Sequence, residues 1–171
     1  MTMLKLVRDA TTTLAVIGAV FALAPVLRAR APGDIFPAPR QSAASGVDFV
    51  LDDHVAIAIP VFPSEQDLFL AQTLANELGD RYGLHPKIER VANLDAARRM
   101  IVLGSVSNPL VADYSAGHAL KVSSRDPGPE GYLLHTEANL VLVAGSDDSG
   151  AFYGLQSLRQ LVMQELGGLR V

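Results

Sequence analysis

From Val55 to Val61 the chain alternates, with Val55, Ile57, Ile59 and Val61 falling on one face and Ala56 and Ala58 on the other. A period of two predicts a strand, and the small residues on its second face leave room for a helix there. Pro60 has no N–H to give a ladder, so the strand should end near it or lie locally at an edge. The period then changes. Leu68, Ala71, Ala75, Leu78 and Tyr82 recur at intervals of three and four, the stripe of a helix with one buried side. Ser64 before the stripe and Asp67 three residues later form a capping-box variant. Gly83 supplies the left-handed residue that closes the other end.

Two short strands follow at 87–91 and 99–103, the second within "RMIVLG", an apolar run typical of a strand covered on both faces. The sheet is therefore predicted to be at least partly parallel. Residues 104–130 carry the weakest pattern, a short helix at "NPLVADY" (108–114) and a turn-rich loop at "SSRDPGPEG". "GYLLHT" (131–136) and "NLVLVAG" (139–145) then read as strands close enough to form an antiparallel hairpin, although Glu137 and Ala138 are not favoured turn residues. A glycine-bounded turn leads into a last helix. Its inward stripe is predicted to be Ala151, Leu155, Leu158, Val162 and Leu166, with Phe152 on the flank. The fold class is thus α/β (α+β), a mixed sheet with helices packed against it.

The N-terminus has a different pattern. Lys5 and Arg8 precede the uncharged run from Ala10 to Leu27, the charged and apolar regions of an export signal. Both small-x-small sites are followed by proline, at Pro25 and Pro32, which disfavours cleavage, and residues 10–27 are just long enough to span a bilayer. Residues 1–31 are assigned as a signal peptide or membrane anchor and the protein as exported, periplasmic or extracellular. The Pro-, Gly- and Ser-containing stretch 32–46 is a linker, and 47–171 form the folded domain.

Charge and composition narrow the chemistry. Residues 41–171 hold sixteen acidic and nine basic side chains, a formal −7, which repels phosphate backbones and argues against nucleic-acid binding. The chain contains no cysteine, so disulfides, thiolate zinc sites and cysteine nucleophiles are excluded. Gly145 and Gly150 bracket a loop after a strand, but Ala151 and Phe152 stand where a phosphate loop needs Lys and Ser or Thr, and Asp147 and Asp148 would repel the phosphate. Capping of the helix by Ser146 or one of these carboxylates is the better reading. His54, His85, His118 and His135 have no metal-binding spacing, and Asp52-Asp53-His54 reads as solvated charge. No serine lies in Gly-x-Ser-x-Gly and no carboxylate pair is fixed for glycosidic cleavage. No catalytic, metal or cofactor residue is therefore assigned, and no cofactor is expected.

The last helix carries the one candidate surface. Tyr153, Ser157, Gln160 and Gln164 fall opposite the inward stripe, a polar but nearly uncharged row better suited to another protein surface than to water. Gly154 costs about 1 kcal/mol relative to alanine within a helix, which points to a second backbone approaching closely.

"GPEGYLLHT" (128–136) followed by "NLVLVAGSDDSGAFYGLQSLRQLV" (139–162) resembles the non-catalytic N-terminal domain of bacterial β-N-acetylhexosaminidases of glycoside hydrolase family 20. Similar domains precede family 84 barrels and some α-glucuronidases. The resemblance runs from about residue 50 to the end and is thin between 104 and 127. It implies a mixed sheet with packed helices, the last leading into a (β/α)₈ barrel that bears the catalytic acid and its neighbouring Asp. No residue of this chain can inherit either role, and the barrel, absent from the chain, is its implied partner. The chain would then be a fragment or truncated frame of an exported hydrolase. The alternatives are a freestanding, envelope-attached protein- or glycan-binding module and a small enzyme with an unrecognised site.

Overall fold

The structure, a computed structural model, describes residues 39–43, 48–165 and 168–171. The signal or anchor assigned to residues 1–31 and most of the 32–46 linker lie outside them. Among the described residues no helix is long and apolar enough to cross a membrane.

After a two-residue strand β1 (Val50–Leu51), the alternating segment becomes β2 (Ala56–Pro60). Helix α1 (Glu65–Tyr82) connects it to β3 (Lys87–Val91), and β4 (Met100–Ser105) and α2 (Pro109–Gly117) follow. The hairpin β5 (Tyr132–Glu137) and β6 (Leu140–Gly145) leads into α3 (Asp148–Leu161), and β7 (Met163–Glu165) and β8 (Gly168–Arg170) close the chain. The main sheet has the order β3-β2-β4-β6-β5, with β3, β2, β4 and β6 parallel and β5 antiparallel to β6. A second sheet has the order β1-β8-β7, antiparallel throughout. The mixed sheet predicted from the apolar runs is the observed one.

Each face of the main sheet has its own core, and the side-chain alternation of the strands divides them. Ile57, Ile59, Ile101, Leu103, Val141 and Val143 face α1 and α3, while Ala58, Met100, Val102, Leu142 and Ala144 face α2. Small Ala58 lets α2 approach, as its position on the second face requires. Each Leu or Ile so buried contributes about 1.5–3 kcal/mol relative to exposure. Leu51 and Leu169 of the small sheet, with Phe49 just before β1, join the larger core.

Ser64 caps α1 as anticipated. Its hydroxyl accepts from the Asp67 N–H, the Asp67 carboxylate accepts from the Ser64 N–H, and Gly83 is left-handed at φ 69°. The buried stripe is displaced from the predicted one: Leu70, Ala71, Leu74 and Leu78 are its centre, and Leu68, Ala75 and Tyr82 are half-buried flanks. A 3-4-3-4 repeat fits either of two neighbouring stripes, and the sheet selected the one with more leucine. Val61, predicted inward, is exposed because β2 ends at Pro60, which still pairs with β3 but extends beyond the β4 pairing.

Candidate functional site

The resemblance-bearing segment is a local packing problem solved by glycine. The Asp147 carboxylate caps α3 by accepting from the Gly150 N–H at 2.7 Å, and its second oxygen accepts from the Glu130 N–H at 2.9 Å. These two backbone donors, Glu130 first, hold the Asp147 carboxyl below the ordinary aspartate range. A Cβ on Gly150 would lie 2.1 Å from the Gly131 carbonyl oxygen, which itself accepts from the Ser146 N–H. Strand β5 and helix α3 are thereby joined backbone to backbone. The helix N-terminus is filled by its own carboxylate, so the loop is a cap and offers no phosphate cradle.

Helix α3 then presents three faces. Ala151, Leu155 and Leu158 are fully buried on the sheet. Gly154 is buried too, but what approaches it is the Val143 methyl group and the Tyr132 ring, where a second backbone was predicted. A flank turns to α1, where Arg159 is ion-paired with Glu77 and Phe152 stacks on Phe69, ring centroids 6.3 Å apart. The third face turns outward with Tyr153, 45% exposed.

Of the four predicted interface residues, the structure brings only part of the set together. Tyr153 is exposed, and Gln160 is half-buried with its amide donating to the Gln156 carbonyl oxygen at 3.3 Å. Ser157 is a correction: it is buried and shares a 2.6 Å hydrogen bond with the Tyr132 hydroxyl. It lies on the edge of the helix facing β5, a strand whose position could not be known from the helical period. Gln164 is on β7, since α3 ends at Leu161 and the chain reverses into a strand, and Leu166 lies outside the described residues.

The surface extends where sequence reasoning did not look. Phe69, 49% exposed on α1, Phe152 and Tyr153 form a continuous aromatic row, with 6.0 Å between the second and third ring centroids. Phe69 had a visible signal: it falls outside the apolar repeat of its own helix. Beside the same helix start, Phe62 projects with 92% of its surface in solvent between Pro60 and Pro63.

The remaining candidates have structural partners. Asp52 binds Arg99 at 2.6 Å and the His54 N–H at 2.9 Å, so it is bridged rather than merely solvated. Burial raises its carboxyl, but those bonds outweigh it and leave it lowered. His118 stacks on Tyr114 at 3.8 Å, and His135 Nε2 lies 3.0 Å from Glu137 Oε1. Among the described residues no three potential ligands converge on a metal position.

Comparison with known proteins identifies the assembly. Residues 33–171 match the model of glycosyl hydrolase family 20, domain 2. No curated protein matches the chain. Among solved structures, CpGH84D superposes with a TM-score of 0.59 at 17% identity over 80% of this chain. The family 20 exo-β-N-acetylglucosaminidase of Vibrio harveyi in complex with N-acetylglucosamine gives 0.55 at 15% over 81%. The family 20 β-N-acetylhexosaminidase of Streptomyces coelicolor A3(2) gives 0.54 at 19% over 83%. Such identities establish a shared fold, and this chain spans only 22%, 18% and 25% of those respective chains. Matched over most of its length, the chain belongs to glycosyl hydrolase family 20, domain 2, a non-catalytic accessory domain of glycoside hydrolases.

Proposed function

We propose that the outer surface of α1 and α3 docks on the catalytic barrel of an exported β-N-acetylhexosaminidase-type hydrolase. The observation that carries this reading is the aromatic row Phe69, Phe152 and Tyr153, which crosses both helices on the side away from the sheet. Aromatic side chains with partly exposed rings are enriched in interface cores, where they bury large areas at little conformational cost. Tyr153 and Gln160 are the members of the original row that take part, and Ser157 acts from behind as packing. In the same reading residues 1–31 direct export, with residues 10–27 retained as an anchor if cleavage fails, and 32–46 tether the domain.

The test is footprinting of this chain and of a longer protein that carries the following barrel. Phe69 and Tyr153 should be labelled by hydroxyl radicals in the short protein and protected in the longer one. Equal labelling in both would remove the docking reading. Hydrolysis of an aryl N-acetylglucosaminide should require the longer protein, and turnover by this chain that is lost on mutation within it would overturn the accessory role.

A further inference from the structure

At the amino ends of the parallel strands, opposite to the loops that start the three helices, lies an open cleft of about 470 Å³. Four segments separated in sequence build it: the β1–β2 turn with Asp53, β3 with Lys87 and Glu89, the approach to β4 with Arg98 and Arg99, and the β5–β6 turn with Asn139. Three cations and two carboxylates thus line one concavity of a domain whose formal charge is strongly negative. Two of the cations are held in place before any ligand arrives. Arg99 is fixed by the Val50 carbonyl oxygen at 3.2 Å and Asp52 at 2.6 Å, and Arg98 by Glu89 at 2.9 Å. Each guanidinium has five N–H donors, so these bonds leave donors free.

The other polar groups remain available. Among the described residues the side chains of Lys87 and Asp53 have no hydrogen-bond or ion-pair partner, and Asn139 uses its amide N–H to hold the Ala96 carbonyl oxygen at 3.1 Å, which leaves its own oxygen to accept. The one ring among the lining residues is the His54 imidazole, with no Phe, Tyr or Trp beside it. A neutral sugar would therefore find little stacking surface, whereas an anionic group would find Lys87 beside two pre-positioned guanidiniums. Asp53 and Asn139 supply acceptors for hydroxyl groups on the same ligand.

We propose that this cleft binds a sugar bearing a carboxylate or sulfate group, with the anion at Lys87, Arg98 and Arg99 and the hydroxyls at Asp53 and Asn139. The cleft is distant in the fold from the aromatic row, so this site and barrel docking stand or fall separately.

Titration of the full chain with glucuronate, N-acetylglucosamine 6-sulfate, neutral N-acetylglucosamine and inorganic sulfate, followed by calorimetry and amide shifts, tests the proposal. Both acidic sugars should saturate with Kd on the order of 1 mM, and the neutral sugar should bind at least about tenfold more weakly. Lys87→Ala should weaken both by about tenfold with an unchanged melting temperature, and Lys87→Arg should restore binding. Absence of saturation, equal binding of the neutral sugar, or an unchanged Kd in Lys87→Ala would overturn the site. Inorganic sulfate binding as tightly as the sulfated sugar would mean an adventitious ion only and would overturn it too.

Discussion

The Tyr132 hydroxyl and the Ser157 hydroxyl share a 2.6 Å hydrogen bond that ties the edge strand β5 to α3. Ser157→Ala leaves the Tyr132 hydroxyl without that partner and should cost about 0.5–1.5 kcal/mol. Tyr132→Phe in the Ser157→Ala background should cost little more, because both polar partners are then gone. Urea midpoints of the two single variants and the double variant give the coupling directly, and additive losses would contradict a shared bond.

Leu158→Ala should cost about 2–5 kcal/mol, since Leu158 is fully buried between α3 and the sheet. Tyr153→Ala should change the stability of this chain by less than about 1 kcal/mol, because half the residue is already in water. Denaturant midpoints measure both, and equal losses would make Tyr153 a core residue.

Asn108 joins two helices through one side chain. Its amide donates to buried Asp67 at 2.7 Å while its oxygen caps α2 by accepting from the Leu110 and Val111 N–H groups. Asn108→Ala should therefore cost about 2–4 kcal/mol from the lost cap and the stranded carboxylate. Asn108→Asp keeps an oxygen for the cap but sets a second carboxylate against Asp67, and should be worse than Asn108→Ala near neutral pH. Thermal melts of the two variants rank them.

Gly150→Ala should abolish the native junction, costing more than about 3 kcal/mol, because the new methyl group meets the backbone oxygen of Gly131, which cannot swing away. Gly83→Ala places its methyl group in open space and should cost only about 1 kcal/mol, from the left-handed backbone alone. Hydrogen exchange on β5 should accelerate in the first variant and remain as it was in the second.

The depressed Asp147 carboxyl makes a signed pH prediction. Its folded value lies below the unfolded one, near about 3.9, so the unfolded chain binds more protons in that range and stability rises with pH. The contribution is complete above the unfolded value and disappears as pH falls through the folded one. Asp147→Asn should be less stable than wild type at pH 6, with the gap closing as pH falls through the folded value. A gap independent of pH would show that charge at the cap is unimportant.

The strands of the main sheet were legible because two physical signals agreed along them. "RMIVLG" and "NLVLVAG" are too short and too uniformly apolar for a surface helix, and they became the interior strands β4 and β6, with all six residues of each strand buried. The Ser64–Asp67 cap and Gly83 are local chemistry, readable without knowing the fold. Ser157 was misplaced because helical period gives the direction of a side chain but not the width of the surface it meets. The sheet covers more than the apolar arc of α3 and takes in Ser157 as well as Gly150 and Gly154. The aromatic row and the polar cleft both unite residues distant in the chain, Phe69 with Phe152 and Lys87 with Asn139, and no local pattern records such a meeting.

One feature of the small sheet bears on mechanics. Strand β1 pairs with β8, and Phe49 and Val171 exchange backbone hydrogen bonds at 3.1 and 3.0 Å, so these two residues lie side by side at one point. Tension applied across that point loads the β1–β8 bonds one after another, like a zip, and leaves the parallel sheet untouched until the short ladder has opened.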